Sequence, residues 1–233
     1  MKALKKYFSG LELALWLCSS LLIVASFLVF DRGSPLKAAA SLIGVTSIIF
    51  SAKGNPIGQA LMVVFSLIYG VISYTFGYYG EMLTYLGMTM PMAVFSLIAW
   101  LRHPYNENRS EVRVSDIGRA ECTLMWIFAA AVTVAFYFIL EAFGTANLIP
   151  STVSVTTSFV AVYLTFRRSP FFALAYAAND AVLIILWALA SRQNIGYISV
   201  VVCFVAFLSS DLYCFVSWQR MRRRQRRGEA SAE

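Results

Sequence analysis

The chain has 233 residues, 59% hydrophobic and only 13% charged, with a mean hydropathy of +0.69 and a formal net charge of +7. Soluble domains carry about 25% charged residues, so this composition excludes a soluble globular domain and leaves a polytopic membrane protein. The positive balance does not indicate nucleic-acid binding, because the basic residues cluster at the ends of apolar runs, where the positive-inside rule accounts for them.

Met1 to Gly10 reads as a short basic amphipathic start. Several apolar runs then reach the roughly 20 residues a spanning helix needs. Helix 1 is expected over 11–30, stopping at Asp31-Arg32-Gly33-Ser34-Pro35. No A-x-A-like site follows Phe30, so this segment is expected to be retained rather than cleaved as a signal peptide. Helix 2 follows over 36–52, and helix 3 runs from Pro56, a favoured first-turn residue, to Phe76. Gly77-Tyr78-Tyr79-Gly80 reads as a tight turn. Helix 4 is expected over 81–101, with an internal Pro91 that should kink it.

Residues 102–119 form the longest polar segment. Helix 5 is expected over 120–143. Helix 6, over 151–166, is short for a span and rich in Ser and Thr. Helix 7 runs over 170–191 and helix 8 over 195–220, and the basic tail from 221 to 233 is expected to be disordered. Eight spans place both termini on one side. With that topology 16 of the 19 Lys and Arg residues fall on the terminal side, leaving Arg32, Lys37 and Arg192 opposite. This asymmetry predicts cytoplasmic termini. The Asn108-Arg109-Ser110 sequon then falls on the cytoplasmic side and reads as coincidence.

Segments 36–101 and 151–220 look like two copies of one three-helix unit. Each has a basic link ending in proline, at Lys53-Gly54-Asn55-Pro56 and Arg167-Arg168-Ser169-Pro170. Each ends on a Trp beside an Arg, and Pro to Trp spans 44 positions in one and 48 in the other. A three-helix unit ends opposite where it began, so the lone helix at 120–143 restores the orientation of the second copy. The predicted architecture is a single all-α transmembrane domain, with an extra first helix before a 3+1+3 parallel repeat of the SWEET kind. Substrate in such folds binds near the midplane between repeats.

The polar residues inside the spans are therefore the candidates. Charged groups are costly there and usually face a bundle interior or cavity. Asn179, Leu183 and Trp187 share one helical stripe, continued by Tyr176 and Phe172. Asp180 is adjacent, and Asp211 lies on helix 8. On helix 3, Gln59, Ser66, Tyr69 and Ser73 share a polar stripe, and Thr84, Tyr85 and Thr89 follow on helix 4. No intramembrane Lys or Arg partners the two aspartates. They are neutral, accept hydrogen bonds from a neighbouring helix, or face a cationic substrate. Trp100 and Trp218, next to Arg102 and Arg220, read as interfacial anchors. Glu81 reads as an N-terminal cap of helix 4. The four cysteines have no metal spacing and read as apolar packing residues. Walker A, H-E-x-x-H, G-x-S-x-G and the Gly-x-Gly-Asp of intramembrane aspartyl proteases are all absent, so the chain does not read as an enzyme, and no cofactor or metal is expected.

Asn179-Asp180-x-x-Leu183-Ile184-x-Leu186-Trp187 resembles the N-D-x-x-L-I-x-L-W signature of PnuC-type nicotinamide riboside transporters. Ile72-Ser73-Tyr74 with Gly77-Tyr78-Tyr79-Gly80-Glu81-Met82 resembles the same family's helix 3–4 turn. The resemblance covers about 36 to 220. It implies facilitated uptake of nicotinamide riboside through a cell membrane for NAD synthesis, with Asn179 and Trp187 as substrate contacts and a homotrimer as the assembly. The candidate substrate-binding set is Asn179, Asp180, Trp187, Tyr176, Gln59, Tyr69 and Ser66. The family's W-x-x-W pair is replaced here by Phe171, Phe172 and Tyr176. Close relatives take thiamine or riboflavin, so thiamine or another flat vitamin is the alternative cargo, and a non-transporting membrane scaffold is the alternative class.

Overall fold

The computed structural model describes residues 7–75, 79–105, 108–145 and 147–230. Eight helices in it are long and apolar enough to cross a membrane. We number them α1 (Gly10–Phe30), α2 (Pro35–Ala52), α3 (Ile57–Thr75), α4 (Tyr79–Leu83, Thr84–Thr89 and Met90–Arg102), α5 (Arg119–Ala142), α6 (Leu148–Phe166), α7 (Phe172–Ala190) and α8 (Ile198–Ala230). A short 3₁₀ turn, Ile195–Tyr197, leads into α8.

Local chemistry sets most boundaries. A reciprocal capping box opens α1: Ser9 Oγ accepts from the Glu12 amide at 3.2 Å, and the Ser9 amide donates to Glu12 Oε2 at 2.7 Å. Pro35 starts α2, where its missing N–H costs nothing. α6 starts at Leu148, three residues before the predicted start, because Pro150 is tolerated in a first helical turn. At 19 residues α6 is long enough to span.

Two further expectations change. Gly77 and Tyr78 of the predicted turn lie outside the described residues, and Tyr79 already opens α4. Pro91 directly follows a π turn over Thr84–Thr89, in which the Met90 amide bonds to Tyr85 O five residues back, so the helix departs from regular α geometry before the proline as well. Such turns are frequent at functional sites.

The helix contacts close a ring. Within the first unit α2 packs on α3 and α3 on α4, and within the second α6 packs on α7 and α7 on α8. Between units, α4 packs on α6 and α8 on α2. Each unit's last helix therefore meets the other unit's first helix, and six helices surround a central space. α1 lies outside against α2 and α8, and α5 lies outside against α6. These two expose large apolar side chains such as Leu21, Val29, Ile127 and Phe138, as lipid-facing helices do.

α2 and α3 approach closely through Gly58. Ser47 Oγ donates to Gly58 O at 2.8 Å. A β-carbon on Gly58 would sit 2.7 Å from the Ser51 amide nitrogen and 2.9 Å from Ser47 O. Backbone atoms cannot yield as a side chain can, so the two helices must separate. Gly58→Ala is expected to cost roughly 1–3 kcal/mol, the usual penalty of overpacking. The check is a lowered melting temperature of the detergent-solubilised protein.

The polar linker between α4 and α5 is ordered by what it ties together. Strands β1 (Pro104–Tyr105) and β2 (Asn108–Val112) pair antiparallel. Beyond them, the Val112 amide bonds to Gly54 O at 2.9 Å and the Ser115 amide to Arg168 O at 3.1 Å. The strap thus touches the equivalent link in each unit. It also explains why the tail is not disordered as far as Ala230. Gln225 is buried and bonds to the Val114 amide, Val112 O and Glu111. Arg222 and Arg226 pair with Asp116, and Arg224 with Glu111.

Candidate functional site

The ring encloses a cavity of about 470 Å³. Far from the termini it reaches Phe143, Thr145 and Asn147 of the α5–α6 turn and Gln193, Asn194 and Tyr197 of the α7–α8 turn. Towards the termini it stops at Ser51, Gln59 and Phe172. Among its described lining residues none belongs to the terminal-side links at 53–56, 103–118 or 167–171.

Five of the seven residues singled out from sequence line this cavity: Gln59, Tyr176, Asn179, Asp180 and Trp187. Ser66 and Tyr69 do not. Ser66 is fully buried. Tyr69 stands behind the wall, with its ring 4.9 Å from Phe65 and 5.3 Å from Tyr85, which do line it. From α3 the cavity takes Gln59, Met62 and Phe65, and the later polar positions of the stripe stand outside its lining.

α6 orients Asn179. Its Oδ1 lies 2.8 Å from Thr157 Oγ1, 3.1 Å from Ser158 Oγ and 3.4 Å from Ser154 Oγ. With the carbonyl oxygen held by hydroxyls, the Nδ2 group, a two-proton donor, is the part of this side chain left to meet a ligand. Ser154 and Ser158 line the cavity as well. The Ser/Thr richness of this helix was their only signal in the sequence.

The two buried aspartates are each other's partner. The carboxyl groups of Asp180 on α7 and Asp211 on α8 are in hydrogen-bonding contact. An ionised carboxylate only accepts hydrogen bonds, so such a contact requires a proton on at least one of the two groups. Asp180 Oδ2 has no partner among the described residues. Glu81 also lines the cavity, with Ser73 Oγ at 3.5 Å. It therefore belongs to the wall, and is more than a helix cap. No Lys, Arg or His is among the described lining residues.

Aromatic rings complete the wall. Trp187 and Tyr197 lie 5.1 Å apart at the end away from the termini. The π turn carries Thr84, Tyr85 and Thr89 into the cavity, and Phe65, Phe204 and Phe207 face it from α3 and α8. Phe65 and Phe207 are 6.0 Å apart across the α3–α8 boundary. The result is an acidic, aromatic chamber in which α6 orients the Asn179 amide. It suits a flat cation that carries a hydrogen-bond acceptor.

Trp100 and Trp218 are not interfacial anchors. Both are completely buried. Their position beside Arg102 and Arg220 suggested the interface, but the rotation of α4 and α8 turns them inward.

Comparison with known proteins agrees with the geometry. A family model described as nicotinamide mononucleotide transporter matches residues 34–220. The nicotinamide riboside transporter PnuC of Neisseria mucosa is 27% identical over 218 residues, covering 91% of this chain and 82% of that protein. The crystal structure of the vitamin B3 transporter PnuC matches with a TM-score of 0.80 over 94% of both chains, at 22% identity, a likeness of fold.

Proposed function

The chain belongs to the nicotinamide mononucleotide transporter family, and from that premise we propose that its cargo is nicotinamide riboside and not the phosphorylated mononucleotide. The observation that carries this choice is the acidic character of the cavity wall: Glu81, Asp180 and Asp211 line it, and no basic side chain does among the described residues. A phosphate monoester brings about two negative charges at neutral pH and is recognised by Arg, Lys or helix N-termini. Inside this wall it would meet carboxylates. The riboside brings one pyridinium charge of the opposite sign. Its ring can lie against the indole and phenol faces, which attract cations, and its carboxamide oxygen can accept from Asn179 Nδ2. The name of the Neisseria relative supports the same cargo.

The mechanism we propose is facilitated diffusion with alternating access, with the terminal side in the cytoplasm of a cell whose plasma membrane holds the protein. The charge asymmetry of the links supports this orientation. Asn179, Asp180, Tyr176, Trp187 and Gln59 are the proposed substrate contacts. The homotrimer rests on the family resemblance alone.

Liposomes containing only this protein test the reading. Labelled riboside should enter until inside and outside concentrations match when no membrane potential is imposed. The mononucleotide should not enter. Entry of both at similar rates would remove the charge argument, and preferential entry of thiamine would favour the alternative cargo. Absence of any uptake would leave a binding or scaffold protein.

A further inference from the structure

The two largest fully buried side chains in the molecule, Trp100 and Trp218, line no part of the cavity. Trp100, near the end of α4, donates its indole N–H to Thr165 O of α6 at 3.0 Å. Trp218, on α8, donates to Ser51 O of α2 at 2.7 Å. Each bond runs from the last helix of one unit to the first helix of the other. The acceptors are equivalent positions. Each lies three residues before a left-handed residue, Gly54 at φ 67° and Arg168 at φ 58°, and five before the proline of its link. The indoles stand 5.3 Å apart. Phe172 packs its ring edge-on against both, at 6.1 Å from Trp100 and 4.8 Å from Trp218, and faces the end of the cavity.

We propose that Trp100 and Trp218 are the terminal-side gate of the transport path, a reciprocal latch between the two units with Phe172 as its plug. The inference rests on the transport reading. A path that ends at Phe172 can continue only if α4 parts from α6, or α8 from α2. The indole bonds cross both seams, and on the α8–α2 seam Ser217 Oγ also donates to Ala52 O at 2.7 Å. The latch is built to open. Ser51 O also accepts the Gly54 amide at 2.8 Å, and Thr165 O the Arg168 amide at 3.0 Å. When an indole leaves, its acceptor keeps a partner and the indole N–H needs water, which the opened path supplies; on the α8–α2 seam Ser217 Oγ and Ala52 O need it as well. A buried carbonyl that lost its one donor would resist opening.

The test is thiol labelling, which needs no substrate and so stands or falls apart from the choice of cargo. Ile48, in the cavity wall, becomes the reporter in Ile48→Cys, with the four native cysteines replaced by alanine. A membrane-impermeant maleimide is applied to either face of oriented vesicles. With both tryptophans present the reporter should react only from the side away from the termini. In Trp100→Phe with Trp218→Phe, the terminal-side rate should rise by about tenfold or more while the opposite rate falls, as a shift between two states requires. A rise from both sides alike means general loosening and overturns the proposal, as does an unchanged terminal-side rate. Where the phenylalanine pair does not fold, benzothienylalanine at both positions keeps the indole shape, removes only the N–H, and is read by the same two rates.

Discussion

Asn179→Ala is expected to weaken riboside binding by about ten- to a hundredfold, equivalent to about 1.5–3 kcal/mol for a hydrogen bond lost in a buried site. The magnitude follows from how the amide is held. Three α6 hydroxyls gather at Oδ1 within 2.8 to 3.4 Å. They fix the side chain so that Nδ2 is presented without further ordering when the ligand arrives. Alanine removes that donor. It also withdraws a partner from the hydroxyls, but Thr157 lies 3.0 Å from both Val153 O and Ser154 O and keeps an acceptor. The folding penalty is therefore smaller than the binding penalty. Calorimetry with the riboside and with the same riboside lacking the carboxamide separates the two effects. The amide-free ligand should bind the wild type and the variant alike. Equal weakening of both ligands would show that Asn179 shapes the wall and does not recognise the carboxamide.

Much of this architecture was legible because bilayer physics writes it into composition. Apolar runs of about 20 residues, bounded by Asp31–Pro35, Lys53–Pro56 or Arg167–Pro170, can only be spans. The count of basic residues on each side then fixed their number. The likeness of the two proline-ended links was legible, and the structure adds a reason for it. Both links carry a left-handed residue at the same position, and both are tied to the same strap through Gly54 O and Arg168 O. Part of the cavity wall was legible. Asn179 and Asp180 stand out because polar groups in an apolar run need a reason. Helical rotation was not legible. Trp100 beside Arg102 has the sequence signature of an interfacial ring, yet α4 turns it into the seam with α6. Pairing across distant helices was not legible either. Asp180 and Asp211 are 31 positions apart and belong to different helices, so nothing local announces that they meet. The tail was misread because its arginines find their acids, Glu111 and Asp116, in a linker over a hundred residues earlier.

The aspartate pair leads to a second expected result, one that two independent carboxylates would not give. Two carboxyl groups in one buried contact cannot both bear their charge, and a single shared proton predicts the following. Asp180→Asn leaves the charge on Asp211, with the new amide donating in the proton's place. Asp211→Asn leaves it on Asp180 by the same exchange. Each single variant should therefore bind the cationic riboside within about threefold of the wild type, since the pair's charge is conserved. The double variant removes the charge. A unit charge about 5.5–8 Å from a pyridinium, at an effective dielectric of about 20, is worth about 2–3 kcal/mol, or about 30- to 150-fold in affinity. The control ligand is the reduced dihydronicotinamide riboside, which has nearly the same shape and no charge, and its binding to the double variant should change little. Together these measurements form a double-mutant cycle with a large coupling between Asp180 and Asp211. If each single variant instead loses as much cation affinity as the double, the two groups act separately and the shared proton is wrong. If the charged and uncharged ribosides weaken in parallel in the double variant, the pair holds α7 against α8 and plays no part in choosing the charge of the cargo.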